Sequence, residues 1–547
     1  MRCEGMGMLI RACRVAALIA VAALGACASQ QPGAGGPPAT PFVVAQQREP
    51  MSLNPALENG TSSTEWGLLL FQYLVKYDDR GRLAGDAADA VPSLGNGGIS
   101  ADGRTIRYHL RPGLRFADGQ ALTAQDCVYS IRVIQDPSHN VQSRFGYDLI
   151  DQAEAPDART LVLHLKRPFS PLLTVVLAPQ GFPIFPQHVL APLDFNHGDF
   201  NTHPLGSGPY VVMRWLRGDH VELRANPYYR GGKPKIERID IRFVPDPNTA
   251  INLLRTKEVG GYFSDLDYGN APVLRSVPGV RVTSTPMNAV GAIIFNTQDP
   301  ITSDPRVRRA LAMALDIPSM IEKTYRGAMS ARAAGRGLFI WAYDPKSYPD
   351  IRYDPGQARA LLDAAGWVPG LDGVRRKNRK RLELLLIIQS ATPGDAIIGN
   401  TLSQYEREAG AEVTIKQFNV TQLVAPANQN GPVYGGKFQL ALYPFVNGDD
   451  PDTTDQFACA NVPPRGYNKS RICDPALDAL LARGQTEYDV AKRTAIYRKV
   501  EALLAREMPI ALLYQRPELD TFTNRLRGQT TSLSGAWWNV GAWQLAP

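Results

Sequence analysis

The stretch LELLLIIQ at residues 382–389 decides the fold class. A short run of Leu and Ile bounded by polar residues is typical of a strand that is buried on both faces. Two further segments, at 413–418 and 438–443, predict neighbouring strands, and residues 396–409, between the first strand and the segment at 413–418, predict a helix. Strands that alternate with helices indicate an α/β domain with a largely parallel sheet.

The same alternation extends outward in both directions. Residues 289–296 and 510–515 predict further strands, and helices are predicted at 306–314, 355–365, 474–483 and 489–507. Asp246 followed by Pro247 marks the start of another helix, since Asp caps a helix well and Pro suits its first turn. The N-terminal part differs: a helix that begins at Thr123 and a hairpin over 150–165 predict a small mixed module.

The first 27 residues resemble a bacterial lipoprotein export signal. Basic residues precede an apolar run at 15–24, which ends in LGAC at residues 24–27. About ten apolar residues cannot span a membrane that needs about 20, so we interpret 1–26 as a cleaved signal peptide. Cys27 is then the lipidated first residue of the mature chain, and residues 27–40 are a flexible tether. The alternative is an ordinary signal peptide with Cys27 near the cut by chance.

Composition excludes several classes of function. The chain of 547 residues has 59 Lys and Arg against 52 Asp and Glu, a formal charge of +7 that is mild and spread out. We therefore expect no nucleic-acid partner. No stretch after the signal has 18 consecutive apolar residues, so we expect the body to be held to a membrane by lipid alone. The length predicts two or three domains.

Three cysteines remain after the signal and Cys27 are set aside. Cys459 and Cys473 lie 14 positions apart across a Pro- and Gly-containing loop, and in an exported protein this spacing predicts a disulfide. Cys127 follows a helix start and is flanked by apolar residues, so we expect a buried, inert thiol.

Short motifs along the chain follow a common order. They are PMSLNP (50–55), SADG (100–103), LRPG (110–113), FADG (116–119), LTAQD (122–126), GSGPY (206–210), NPYY (226–229), FN (295–296), DPRVRRAL (304–311), YDP (353–355), AGW (365–367) and DPD (450–452). Together they resemble the family 5 solute-binding proteins of ABC importers, the group of oligopeptide, dipeptide and nickel receptors. Most of the motifs are turn and cap signals, so the resemblance identifies the scaffold and not the ligand.

The resemblance implies a bilobal α/β fold of the periplasmic-binding-protein type II kind, with a small inserted domain and a ligand cleft between the lobes. The implied parts are a discontinuous lobe I (41–75, 204–296 and 508–547), an inserted domain II (76–203) and a lobe III (297–507).

In peptide-binding relatives, an acidic residue shortly before the late Asp-Pro receives the amino terminus of the peptide. Here Asn447 stands at that position, and Tyr443 stands near the usual tryptophan. Either Asp449 takes over the role, or the ligand has no free α-amino group, or Asp449 and Asp450 only cap a turn. Our further candidates for ligand contact, which could equally be solvated loop residues, are Glu49, Met51, Asn54, Asn288, Asn296 and Arg465.

We therefore expect a monomeric, lipid-anchored receptor in the periplasmic space or on the outer face of the cell membrane. It would capture a small peptide or peptide-like ligand and deliver it to ABC permease and ATPase subunits. The alternatives are a non-peptide ligand, such as a metal chelate, a glycan or an opine-like compound, and a role as a sensor or chaperone.

A periplasmic hydrolase is the main alternative from another class. The sequence has no Gly-x-Ser-x-Gly around Ser207 and no His-Glu-x-x-His, which removes the usual nucleophile and zinc arrangements. Asp194, His197, Asp199 and His203 could supply metal ligands within ten residues, but a surface loop explains them better. We predict no catalytic residue, cofactor or metal site.

Overall fold

The computed structural model describes residues 40–58, 60–179, 181–263, 268–390, 393–429 and 431–547. The predicted signal peptide, Cys27 and the tether up to residue 39 lie outside the described residues. Within those ranges, no helix combines the length and the apolar character needed to cross a membrane.

Strands and helices agree with the main sequence predictions in place and type. The strands are β1 Phe42–Gln46, β2 Val75–Tyr77, β3 Leu83–Gly85, β4 Thr105–His109, β5 Ile150–Asp157, β6 Thr160–Leu165, β7 Tyr210–Leu216, β8 His220–Ala225, β9 Arg238–Phe243, β10 Gly261–Phe263, β11 Val280–Phe295, β12 Arg376–Lys377, β13 Lys380–Arg381, β14 Glu383–Gln389, β15 Glu412–Phe418, β16 Leu440–Val446, β17 Ile510–Thr523, β18 Leu526–Arg527 and β19 Gln544–Leu545. The α-helices are α1 Gly60–Leu70, α2 Ala124–Gln135, α3 Leu172–Val175, α4 Gln187–Leu190, α5 Pro247–Thr256, α6 Ala271–Arg275, α7 Pro305–Met313, α8 Ile317–Tyr325, α9 Arg336–Phe339, α10 Pro355–Ala364, α11 Pro393–Ala409, α12 Val420–Leu423, α13 Thr454–Phe457, α14 Pro475–Thr486 and α15 Val490–Glu507.

One ten-stranded sheet runs through the molecule in the order β15-β14-β16-β11-β17-β10-β1-β9-β8-β7. Strand β14 is parallel to β15 and β16, and β1 is parallel to β9 and β10. The pairs that involve β11 and β17 are antiparallel. The sheet is therefore mixed, and the prediction of a largely parallel sheet holds only around β14 and β1.

Strands β11 and β17 join the two halves of this sheet and make the fold bilobal. Their first contact region pairs Val280 with Thr523 and ends where Pro286 faces Pro517. Pairing resumes at Val290 opposite Gln515 after a shift of register, and from there β11 also pairs with β16. Because two strands cross between the halves at this interruption, it is the natural place for a hinge.

Helices cover both faces of the half-sheet around β14. Leu386 and Ile388 face a core formed with α7, α8, α10 and α11, whereas Ile387 faces a core formed with α9, α14 and α15. Successive side chains on a strand point to opposite faces, so a strand buried on both faces must be apolar throughout. This explains why LELLLIIQ is the clearest strand signal in the sequence.

The module near the N-terminus has its own three-stranded sheet, β4-β6-β5, with α2 packed on it. Thr123 and Asp126 form a capping box at the start of α2, as their spacing predicts. Cys127 is fully buried in this helix, and burial raises the pKa of its thiol, so the sulfur is kept protonated and inert.

Gly208 in the GSGPY motif is required by close packing. A Cβ atom at this position would lie 2.4 Å from the carbonyl carbon of Leu70 and from the amide nitrogen of Phe71. Backbone atoms cannot move aside as a side chain can, so the chain between the N-terminal module and β7 needs glycine where it crosses the end of α1.

Candidate functional site

Two adjoining cavities of about 240 and 310 Å³ lie beside the interruption between β11 and β17. They share the lining residues Ser143, Gly181, Phe182, Val446, Asn447 and Asp449. We treat them as one site, the central cleft.

The walls of the central cleft come from parts of the chain that are far apart in sequence. Phe145 and Phe182 lie on the wall formed by the N-terminal module, and the loop after β16 forms the opposite wall. Met287 and Asn288 of β11 and Glu518 of β17 lie between the walls. A ligand here would contact both halves of the fold at once.

Hydrogen bonds fix the loop after β16 against the hinge strand. Asn288 Nδ2 donates to Asp449 Oδ1 at 2.6 Å, and the backbone N–H of Asn447 donates to the carbonyl oxygen of Asn288 at 2.6 Å. Tyr77 Oη donates to the carbonyl oxygen of Asp449 at 2.6 Å. The Asn447 side chain donates to the carbonyl oxygens at 337 and 338 of α9, each at 3.2 Å, so it already has a structural task.

The central cleft is strongly acidic. Its described lining contains Glu58, Glu65, Asp449, Asp450, Asp452, Asp455 and Glu518, and no Lys or Arg. Burial raises the pKa of Asp452, and the neighbouring charge of Asp450 adds to this effect. Desolvation also raises the pKa of Asp455. A cationic group would relieve this concentration of negative charge, which makes the cleft suited to an ammonium group.

Asp450 is neutralised within the protein. Arg493 Nη1 and Nη2 each donate to one of its carboxylate oxygens at 2.6 Å, and both side chains are buried. Arg493 Nε also donates to the carbonyl oxygen of Gly484 at 2.8 Å. The pair therefore ties the cleft loop to the end of α14 and leaves Asp450 already paired with a cation of the protein.

A third cavity, of about 650 Å³, lies beside the central cleft; we refer to it as the distal cavity. On β16, Leu442 and Pro444 line the distal cavity, and Val446 lines the central cleft. On β17, Arg516 lines the distal cavity, and Glu518 lines the central cleft. Residues two apart on a strand share a face and are separated by about 7 Å, so the two sites follow each other along one face of the sheet.

Three of the predicted ligand-binding residues are brought together in the central cleft. These are Asn288, Asn447 and Asp449. Tyr443 instead lines the distal cavity, and Lys469 Nζ lies 5.0 Å from the centre of its ring.

Five predicted residues do not line either site, so contact between them and a ligand stays a prediction that these cavities do not support. Asn54 is fully buried and donates to Asn201 Oδ1 at 2.9 Å, and Asn296 donates to the carbonyl oxygens at 436 and 438. Glu49 accepts a hydrogen bond from Trp215 Nε1 at 2.9 Å. Met51 and Arg465 are exposed and lie outside the lining of these cavities. The polar groups of Glu49, Asn54 and Asn296 are thus used in hydrogen bonds within the protein.

Sequence reasoning missed Phe145, Phe182, Asp455 and Arg516. The two phenylalanines lie in irregular segments, where no periodicity indicates which way a side chain points. The alternation of β17 could have indicated Arg516, but the strand continues through Thr523, well beyond the apolar run that identified it.

The cysteine and metal predictions concern other parts of the chain. A disulfide joins Cys459 and Cys473, with Cα atoms 4.5 Å apart, which is the pairing that we expected. Among the described residues, no group of three or more His, Cys, Asp and Glu side chains could hold a metal ion. His197 Nδ1 and Asp194 Oδ2 lie 3.4 Å apart on the surface, in agreement with a solvated loop.

Comparison with known proteins adds the evolutionary context. The family model of the bacterial extracellular solute-binding proteins, family 5 middle region, matches residues 89–466. Protein XP55 of Streptomyces lividans is 29% identical over 548 residues, covering 95% of this chain and 93% of the relative. Probable di/tripeptide-binding protein 5 of Pseudomonas aeruginosa is also 29% identical, covering 81% and 84%.

Solved structures share the fold. The oligopeptide-binding protein AppA of Bacillus subtilis, solved in complex with a nonapeptide, superposes with a TM-score of 0.72 at 21% identity, covering 93% of this chain and 99% of AppA. NikZ of Campylobacter jejuni, crystallised with Ni(L-His), gives 0.73 at 23% identity, covering 92% and 99%.

Proposed function

This chain is a member of the bacterial extracellular solute-binding proteins of family 5, and from that premise we propose that it captures a peptide or peptide-like ligand for an ABC importer. In this proposal the chain is exported, loses residues 1–26 and is anchored by lipid on Cys27. It works as a monomer without catalytic activity and passes its ligand to permease and ATPase subunits.

The acidic central cleft between the two halves of the sheet is the observation that carries the proposal. A peptide amino terminus is an ammonium group, which must be paired with an acid when it leaves water. Asp449 and Asp455 supply such acids in the lining of the cleft. The relatives named as di/tripeptide-binding support a peptide over other cationic ligands.

The shape of the cleft suits ligands with varied side chains. Phe145 and Phe182 offer apolar surface on one wall, and the opposite loop offers backbone groups around Gly448. Main-chain hydrogen bonds hold an extended peptide regardless of its sequence, while wide pockets accept different side chains. In this proposal Asn288, Asn447 and Asp449, which line the cleft, contact the peptide.

Closure of the lobes traps the ligand. The N-terminal module (76–203) contacts the end of α14 through hydrogen bonds from the backbone N–H of Ser170 to the carbonyl oxygen of Gln485 at 2.7 Å and from Ser170 Oγ to that of Gly484 at 3.2 Å. In our assignment these residues belong to domain II and lobe III. A ligand that touches both sides stabilises this closed arrangement, which the permease then recognises.

A non-peptide ligand is the second candidate, and Asn447 favours it. Since the carboxylate expected at this position is replaced by an amide that is bonded to α9, a ligand without a free α-amino group would be accommodated. The Ni(L-His) complex of NikZ shows that the shared fold accepts other compounds. A sensor or chaperone role would use the same cleft without an importer.

Native mass spectrometry and calorimetry test the proposal. Mass spectrometry of the protein purified from its own cells identifies the bound compound, and a series of peptides defines binding in calorimetry. We expect Asp449→Asn to weaken peptide binding about tenfold or more, whereas the exposed Asp151→Asn leaves it unchanged. Peptide binding that survives Asp449→Asn would reject the role of Asp449, and the absence of any peptide binding would reject a peptide receptor.

A further inference from the structure

We propose that Gln485 is a positioning residue that couples the acids of the central cleft to the docking of the N-terminal module, so that lobe closure responds to the charge of the ligand. This inference rests on the proposed function and deepens it. A ligand with a cation in the cleft closes the lobes fully, whereas a ligand without one binds in the same cleft and closes them less.

Gln485 lies in the last turn of α14, where the N-terminal module docks. Its side chain is buried, and Nε2 donates to Asp452 Oδ2 at 2.9 Å. Asp452 in turn lines the central cleft. On the other side, Gln485 Oε1 accepts hydrogen bonds from both Nη atoms of Arg167 in the module, each at 3.4 Å. One side chain therefore connects an acid of the cleft with a cation of the module.

The hydrogen-bonding chemistry of the two partners fixes the orientation of the Gln485 amide. An ionised carboxylate only accepts hydrogen bonds, and a guanidinium only donates them. The amide therefore turns its NH2 group to Asp452 and its oxygen to Arg167. This arrangement keeps both contacts at once only while Asp452 is ionised.

A proton on Asp452 breaks the connection. Asp452 Oδ1 already accepts from the backbone N–H and from Oγ1 of Thr454, which leaves Oδ2 as the site for a proton. The Oδ2–H group and the NH2 group of Gln485 are both donors, so the amide must turn over to accept from the carboxyl group. Its NH2 group then faces the guanidinium of Arg167, and the contact with the module is lost because two donors cannot bond to each other.

The ligand decides which form of Asp452 is present. Burial raises the pKa of Asp452, and the charge of Asp450 raises it further. Two ionisable groups of α15 also face Asp452: Arg493 is already paired with Asp450, and burial raises the pKa of Tyr497 and keeps its hydroxyl neutral. A ligand ammonium beside Asp452 favours the ionised carboxylate, whereas a ligand that displaces water without bringing a cation favours the protonated form.

A second connection does not depend on the ligand. Asp450 also lines the cleft, and Arg493, which is paired with it, donates through Nε to the carbonyl oxygen of Gly484 at 2.8 Å. Ser170 Oγ of the module donates to the same oxygen at 3.2 Å. Because Asp450 and Arg493 neutralise each other, this connection stays in place with or without a ligand cation. The contact through Gln485 is the one that changes with the ligand.

The experiment compares two peptide probes that differ in charge at the amino terminus. Mixtures of tri- to octapeptides with a free amino group, and the same mixtures N-acetylated, are screened by native mass spectrometry. The tightest sequence that binds in both forms is titrated by calorimetry against wild type, Gln485→Met, Arg167→Met and the double variant, and small-angle scattering at saturation measures the closed fraction. Gln125→Met, which changes an exposed glutamine of α2, is the matched control.

We expect the free peptide to close wild type more completely than its acetylated form does. Gln485→Met should weaken binding of the free peptide by about five- to tenfold, as expected for lost hydrogen bonds to charged groups, and leave the acetylated peptide nearly unchanged. Arg167→Met should act in the same way, and the double variant should be no weaker than Gln485→Met, because both changes break one connection. Gln125→Met should behave as wild type. Thermal melts of each variant separate a loss of folding from a loss of the connection.

A side chain that only held the end of α14 in place would give a different result. Gln485→Met would then weaken both peptides equally, and this outcome would overturn the inference. Additive effects of Gln485→Met and Arg167→Met, an equal closed fraction of wild type with both probes, or the failure of every acetylated peptide to bind would overturn it as well. Peptides with a free amino group still bind in each of these cases, so the proposed function stands. Failure of every peptide in both mixtures would instead reject the proposed function, together with this inference.

Discussion

A single hydroxyl group bridges the two sides of the closed cleft, and its removal is expected to weaken ligand binding without any contact to the ligand. The backbone N–H of Phe169 donates to Tyr488 Oη at 3.1 Å, and Tyr488 Oη donates to the carbonyl oxygen of Gly103 at 3.1 Å. Tyr488 follows α14, whereas Gly103 and Phe169 belong to the N-terminal module. Tyr488→Phe deletes both hydrogen bonds and keeps the ring.

The size of the effect follows from these two bonds. Each intramolecular hydrogen bond contributes about 1 kcal/mol net, so the closed form loses about 2 kcal/mol. In the open form water hydrates the same groups, so the open form loses nothing comparable. A change of about 2 kcal/mol lowers the equilibrium constant for closure by about 30-fold. Where the open form predominates without ligand, the apparent affinity falls by the same factor.

Calorimetry measures the affinity of Tyr488→Phe, and small-angle scattering with and without ligand measures the closed fraction. Tyr353→Phe is the control, because Tyr353 is exposed and lies outside the lining of the cleft. An unchanged affinity together with an unchanged closed fraction would show that these bonds do not hold the closed state.

Three further predictions concern stability. Burial raises the pKa of Glu501 to about 8. Between the ordinary pKa of about 4.5 and pH 8, the folded state therefore keeps a proton that the unfolded state has lost, and the free energy of unfolding should fall by a few kcal/mol as the pH rises across this window. Glu501→Gln should flatten that decline in thermal melts at pH 5 to 9. Asp450→Asn should destabilise the fold by about 3–5 kcal/mol in urea unfolding, because it leaves Arg493 buried without its counter-charge, and a loss below 1 kcal/mol would contradict this reasoning. Reduction of the Cys459–Cys473 disulfide should cost about 3 kcal/mol in the same assay, as expected for a closed loop of this length.

Local rules were sufficient for most of the secondary structure. Asp246 caps α5 by accepting a hydrogen bond from the backbone N–H of Thr249, and Pro247 is the first residue of the helix, as the sequence predicts. The first half of β11 escaped prediction, because its alternating polar and β-branched residues form no apolar run. That half is held by pairing with β17, which is a contact distant in sequence.

The candidate site was less accessible to sequence reasoning than the secondary structure was. Asn288, Asn447 and Asp449 were found through the family resemblance, and they do line the cleft. Asn54 and Asn296 have the same chemistry but are used to satisfy buried backbone and side-chain groups. A polar residue in a loop has the same sequence signal in both situations, because only the folded neighbours decide whether its partner is the protein or a ligand.

The sequence by itself therefore determined the α/β class, the caps, the family and the paired cysteines, since each depends on local patterns or on motif order. Tertiary structure alone decided the mixed sheet, the interruption in the pairing of β11 with β17, and the opposite charges of the central cleft and the distal cavity. The reason is that residues far apart in sequence, such as Asp449 and Arg516, come to line neighbouring cavities only when separate strands and loops bring them together.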